Sequence, residues 1–241
     1  MMNSKVAAQD PFAGERLKES PFHPRQAALN LRDAWSSWNG YKFADYYYDE
    51  EYEYFCIRNS CATYDICPMQ KYIVSGIDSE AMLDRMVTRD ITKLQDNRVT
   101  YVCWCTDEGR LIDDGTIFKL EPDRFLLTCG SPSLAWLRKS SFGFNNIKID
   151  DVSDKIAALS FQGPTTCEVL KRMGLEDIDQ LKPFCIANFS FKGSADKPLM
   201  GFKDWFYWRF RIRALDRSRI SIVTLGFTLR FRRGLWYSAL W

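Results

Sequence analysis

Two consecutive aspartates, Asp113 and Asp114, sit inside Leu111–Leu120, a run that otherwise has the composition of a β-strand. It is the returning half of a hairpin signal. Val99–Cys105 is β-branched and aromatic, and Thr106-Asp-Glu-Gly109 forms a turn ending in glycine. Aspartate is depleted in strands and almost never buried without a partner, so an adjacent pair needs a physical reason. A symmetric two- or four-residue loop sets Tyr101 directly opposite Asp114, with Cβ atoms about 4.5–5.5 Å apart. Side chains alternate along a strand, so Asp113 must face the other way. One carboxylate can then enter a pocket beside a tyrosine while the other meets solvent. The plainer alternative is that the pair marks a frayed or bulged strand.

With 241 residues, 46% hydrophobic and 15% aromatic, the chain can bury a sizeable core as one or two domains. Its eight cysteines lack tight metal or disulfide spacing, and His23 is the only imidazole. Reduced thiols in a cytoplasmic protein without zinc are therefore expected. Neither a signal-peptide pattern nor an apolar run of 18 residues occurs.

Residues 1–21 are polar, with Pro11 and Pro21, and read as a mobile arm. A short helix is expected around Glu50–Cys61, a strand over Lys71–Ser75 and a helix over Ser79–Thr88 capped by Asp78 or Ser79. After the hairpin come a strand over Asp123–Thr128, a helix over Pro132–Ser141, a strand over Ile156–Phe161 and a helix over Thr165–Met173. Strands alternating irregularly with short helices predict an α+β domain.

Catalytic vocabulary is sparse. There is no P-loop, G-x-G-x-x-G, H-E-x-x-H or G-x-S-x-G motif. A single histidine in a Pro-rich segment argues against histidine general-base chemistry and leaves any cysteine nucleophile without its usual partner. Carboxylates and tyrosines remain.

Three segments together resemble the glycine-cleavage T-protein (aminomethyltransferase) family: Asp65-Ile-Cys-Pro-Met-Gln-Lys-Tyr-Ile-Val-Ser-Gly76, the Tyr101–Asp114 hairpin, and Phe161-Gln-Gly-Pro-Thr165. The resemblance covers roughly residues 22–185. It implies a folate-binding N-terminal domain of mixed or antiparallel sheets and short helices over residues 22–200, without the β-barrel domain that ends family members. It also implies tetrahydrofolate as cofactor, a small-molecule methyl or aminomethyl donor that is free or bound to a carrier protein, and neither nucleic acid nor a membrane span. Carried over position by position, Met69 and Ile73 lie against the folate ring system, Tyr101 lines the pocket, and Asp114 is the catalytic carboxylate near a folate nitrogen. The family's paired glycines are here Gly109-Arg110, and Cys129-Gly-Ser-Pro132 replaces an Asn-rich segment. The Pro21–Tyr41 segment looks closer to a demethylase-like branch. A relative that binds folate without transferring a group is the other reading that this resemblance leaves open.

Past Met200 the composition changes. Residues 201–241 hold nine Lys/Arg against two Asp, a net charge of +7 that leaves −5 for the rest, together with four of the eight Trp. Read one nucleotide along with permitted codons, the stretch from Gly201 becomes DSRTGFTGDFGFELWI, which resembles the family's continuation, and the closing stretch to Trp241 becomes FDAGYGIVPY. The tail is thus expected to be out of frame, with the shift between about Leu199 and Phe202. Its rival is a purposeful basic–aromatic tail that binds anionic lipid or single-stranded nucleic acid. Resequencing the gene against an intact relative checks the first reading, and the expected read shows one base gained or lost at that point.

Overall fold

The computed structural model describes residues 16–191, 194–203 and 210–214. It begins with α1 (His23–Leu29) and a small hairpin of β1 (Ala34–Trp38) and β2 (Tyr41–Tyr46). α2 (Glu50–Asn59) follows. Asp49 caps it by accepting the Tyr52 N–H, and Glu50, Glu51 and Glu53 occupy its first turn, where the helix dipole favours negative charge. Next come β3 (Ala62–Asp65), β4 (Gln70–Ser75), α3 (Ser79–Met86), β5 (Arg98–Cys105), β6 (Leu111–Glu121) and β7 (Arg124–Cys129). The order closes with α4 (Leu134–Ser140), β8 (Lys148–Asp151), β9 (Ala157–Gln162), α5 (Thr166–Arg172), β10 (Ile186–Phe191), β11 (Ser194–Lys203) and β12 (Phe210–Ala214).

The larger strands form two five-stranded sheets, ordered β5-β6-β7-β4-β8 and β10-β11-β12-β9-β3. Every strand pairing within them is antiparallel. Val99, Phe118 and Leu126 of the first sheet meet Met200 and Phe202 of the second, with the Phe118 and Phe202 rings edge to face at 4.7 Å. On the first sheet's other face, Val102, Trp104, Ile117 and Leu127 pack beneath Met82, Leu83 and Leu137 of α3 and α4. Leu159, Phe161 and Leu199 of the second sheet pack under Val169 and Leu170 of α5. The result is an α+β arrangement with helices outside two stacked sheets.

Three expectations need correction or completion. Direct opposition of Tyr101 and Asp114 is wrong: Tyr101 pairs with Thr116, and Asp114 with Cys103. The loop runs over Thr106–Arg110, closed by the Thr106 N–H on the Arg110 carbonyl, and Ile112 is bulged out between the Trp104–Asp113 and Cys105–Leu111 pairs. The longer loop moves the register by one residue and the bulge by another. At the N-terminus, residues 1–15 of the expected arm lie outside the described residues. The adjoining segment is tied down: Lys18 bridges to Tyr41, and the Ser20 hydroxyl donates to buried Asp65 at 2.5 Å. The β1–β2 hairpin was not anticipated, although Asn39-Gly40, both at positive φ, is a strong two-residue turn signal.

β11 continues through Met200 to Lys203, with Leu199, Met200 and Phe202 buried, and the β12 backbone pairs with β11 and β9. Residues 204–209 and 215–241, and with them most of the expected out-of-frame tail, lie outside the described residues. Replacing Phe202 with alanine should cost about 3–5 kcal/mol, the usual range for a buried aromatic ring. Urea denaturation measures it, and a loss under about 1 kcal/mol would remove Phe202 from the core.

Candidate functional site

A single face of the first sheet gathers most of the residues singled out from the sequence. The ladder pairs Tyr101 with Thr116, Thr116 with Thr128, and Thr128 with Lys71, forming one row across β5, β6, β7 and β4. On the same face, Asp114 on β6 stands two residues to one side of this row and Ile73 on β4 two residues to the other, in line with Leu126 and Phe118. Thr116 and Thr128 hydroxyls are hydrogen-bonded at 2.7 Å. The Lys71 ammonium is fully buried and donates to the carbonyls of Cys67 and Met69 at 2.9 and 2.7 Å. Beside Asp114, Gly115 permits a close strand approach, because a Cβ there would lie 2.2 Å from the Thr128 carbonyl oxygen.

Although not directly opposite, Tyr101 and Asp114 are joined: the phenol donates to Asp114 Oδ2. They are diagonal neighbours, within reach of a long aromatic side chain. Asp114 is exposed and Tyr101 is 53% exposed, so the pair is open to solvent. Asp113 faces the other way, as alternation requires, but it is the more buried of the two. Its Oδ1 accepts the Asp114 N–H at 2.8 Å and its Oδ2 the Ser131 N–H at 3.0 Å. Asp113 therefore ties the hairpin to the loop after β7. Trp38 Nε1 and Asn39 Nδ2 donate to the carbonyl of Gly130 in that same loop at 3.2 and 2.7 Å, and Asn39 also reaches the Pro68 carbonyl at 2.8 Å. These contacts were not read from the sequence; the Asn39-Gly40 turn was the available signal.

Met69 and Ile73 are set apart from the pair as packing groups. Met69 is buried with Ile66, Ala158 and Trp38. Ile73 is half-buried against the core between the sheets.

The hydrogen bond to the Asp114 carboxylate, followed by partial burial, pushes the Tyr101 phenol up to about 12. Burial likewise pushes the Cys129 thiol to about 12, with Asp113 and Asp114 adding to the effect, so it remains a thiol at neutral pH. All eight cysteines are free. Among the described residues, no group of three His, Cys, Asp or Glu is placed to hold a metal ion, and no helix is long and apolar enough to cross a membrane.

The chain is thus an α+β domain of two stacked antiparallel sheets with a tyrosine–carboxylate pair on a bulged hairpin. Residues 25–193 match the model of the GCVT N-terminal domain, and the chain belongs to that family. An aminomethyltransferase from Caldanaerobacter subterraneus subsp. tengcongensis is 34% identical over 136 residues, covering 55% of this chain and 36% of that protein. The aminomethyltransferase of Thermotoga maritima is 25% identical over 182 residues, covering 74% and 48%. The chain therefore spans less than half the length of these curated relatives. The glycine cleavage system aminomethyltransferase T from Bartonella henselae superposes with a TM-score of 0.69 at 20% identity, covering 82% of this chain and 54% of that one. A chain of heterotetrameric sarcosine oxidase from Corynebacterium sp. U-96 superposes with a TM-score of 0.51 at 14% identity, covering 89% and 94%. Both likenesses are of fold.

Tyrosine is neutral when protonated, so its raised pKa means the bond to Asp114 is intact below the ordinary tyrosine value of about 10. It is lost as pH rises through about 12. Replacing Asp114 with asparagine should bring the Tyr101 midpoint down from about 12 toward about 10. NMR of ring-labelled tyrosine reads the shift, and an unmoved midpoint would mean that Asp114 does not hold the phenol.

Proposed function

We propose that this chain supplies the folate-binding part of a one-carbon transferase, which moves an aminomethyl or methyl group from a small donor to tetrahydrofolate. The donor is free or held on a carrier protein, and a methylated small molecule is favoured by the demethylase-like character of the Pro21–Tyr41 segment. The observation behind the reading is the solvent-facing Asp114 carboxylate, oriented by Tyr101, in a chain that matches the family over residues 25–193.

The residues fit a flat, nitrogen-bearing ring system. Asp114 Oδ2 is held by the phenol, and the other oxygen can accept an N–H. The exposed Tyr101 ring offers an aromatic surface, while Met69 and Ile73, which the family resemblance assigns to the ring system, pack into the core. When bound, tetrahydrofolate supplies the amine nitrogen that accepts the one-carbon unit. Asp114 takes or returns a proton at that nitrogen and stabilises positive charge developing there. Tyr101 fixes the orientation of Asp114. Asp113, bonded to the Ser131 N–H, positions the strand that carries it.

Titration with tetrahydrofolate of this chain and of a frame-restored version tests the reading. Saturable binding by at least one of them is expected, and binding by neither overturns it. In whichever version transfers a methyl or aminomethyl group, Asp114→Asn should lower the rate about 10²–10⁴-fold, the usual contribution of an acid–base group. Binding without turnover of any methylated amine would favour a folate-binding module instead.

A further inference from the structure

A second site lies away from the Tyr101–Asp114 pair, where β2, α2 and β3 enclose a cavity of about 270 Å³. Phe43, Tyr46, Tyr54 and Tyr64 are among the residues that line it. Phe43 and Tyr64 stand nearly at right angles, 5.3 Å between centroids, as two adjoining walls would. Four carboxylates also line it, Asp45, Glu50, Glu53 and Asp65, with no Lys, Arg or His among the described lining residues.

None of the four carboxylates belongs to an ion pair among the described residues. Three of them are held by neutral donors. Asp45 accepts the Ser36 hydroxyl at 2.5 Å, Glu53 accepts the backbone N–H groups of Tyr47 and Tyr48 at 2.7 and 3.1 Å, and Asp65 accepts the Cys67 N–H at 2.9 Å. Such bonds stabilise an anion while leaving its field in place. That field is felt by the phenols: burial raises Tyr47 and Tyr64, and Asp65 raises both further, with Glu53 adding to the first and Asp45 to the second.

An anionic, aromatic-walled cavity selects a cation. A divalent metal is disfavoured, since no three of the described acidic groups converge as ligands. A primary ammonium needs several free acceptors converging on its N–H groups, whereas three of the four carboxylates already accept from neutral donors. A quaternary ammonium has no N–H to satisfy and spreads its charge over methyl groups that sit well on ring faces. The volume falls just below the range of about 300–1,000 Å³ for drug-sized ligands, which suits a cation of few heavy atoms. We propose that this cavity binds a small quaternary ammonium cation, independently of the folate reading.

Calorimetric titration of the full chain with tetramethylammonium and choline chlorides tests this, with uncharged 3,3-dimethylbutan-1-ol as the isosteric control. Saturable binding of the cations is expected, at least about threefold tighter than the alcohol and unaffected by tetrahydrofolate. Tyr64→Leu should weaken it by about threefold or more. Glu50→Gln, on the exposed first turn of α2, should do the same while leaving the circular dichroism spectrum unchanged. Absence of saturation, equal binding of the alcohol, or unchanged binding in a folded Glu50→Gln protein would each overturn the proposal.

Discussion

Side chains along a β-strand can face only two ways, and in this domain each face of the first sheet belongs to a different layer. One face packs under α3 and α4 through Val102, Trp104, Ile117 and Leu127; the other meets the second sheet through Val99, Phe118 and Leu126. Strand parity therefore decides which aspartate of the pair goes where. A one-residue change of register would break the cross-strand match of the two faces. The five-residue loop introduces such a change, and the Ile112 bulge introduces a second, so parity is restored. Tyr101 and Asp114 remain on one face, displaced from opposition to a diagonal that the tyrosine can span.

The two aspartates then divide their tasks. Asp113 satisfies two backbone N–H groups and is the more buried, as expected of a carboxylate that holds structure. Asp114 keeps contact with solvent and is held by one phenol, leaving it acceptor capacity. The surrounding loops are coupled through Gly130, whose carbonyl receives both Trp38 and Asn39 while its neighbour Ser131 bonds Asp113. The β1–β2 hairpin thus connects the two regions of chemical interest. Its turn rests against the Asp113 loop, and the far end of β2 lines the acidic aromatic cavity.

Local signals in the chain were good guides to the larger elements. Turn residues and apolar runs located β4 through β7, α3, α4, β9 and α5 to within a few residues, because each carries its own local pattern of turn residues and apolar spacing, even where, as for β4 and β9, the strand partners are distant in sequence. β3 was missed: Ala62–Asp65 is four residues long, too short to establish a period. The junction at Met200 was visible as a change in composition. Yet Leu199, Met200 and Phe202 are core residues, since the interior receives a strand wherever its apolar face fits.

The sequence alone determined the α+β class, the family, the hairpin and the opposite facing of Asp113 and Asp114, all of which follow from patterns within short stretches of chain. Tertiary structure decided the register, the greater exposure of Asp114, the burial of Met69, and the meeting of Gly130 with Trp38 and Asn39 some ninety residues away. These depend on how a loop closes, where a bulge falls and which distant segment arrives as partner, and local propensity carries no record of such long-range contacts.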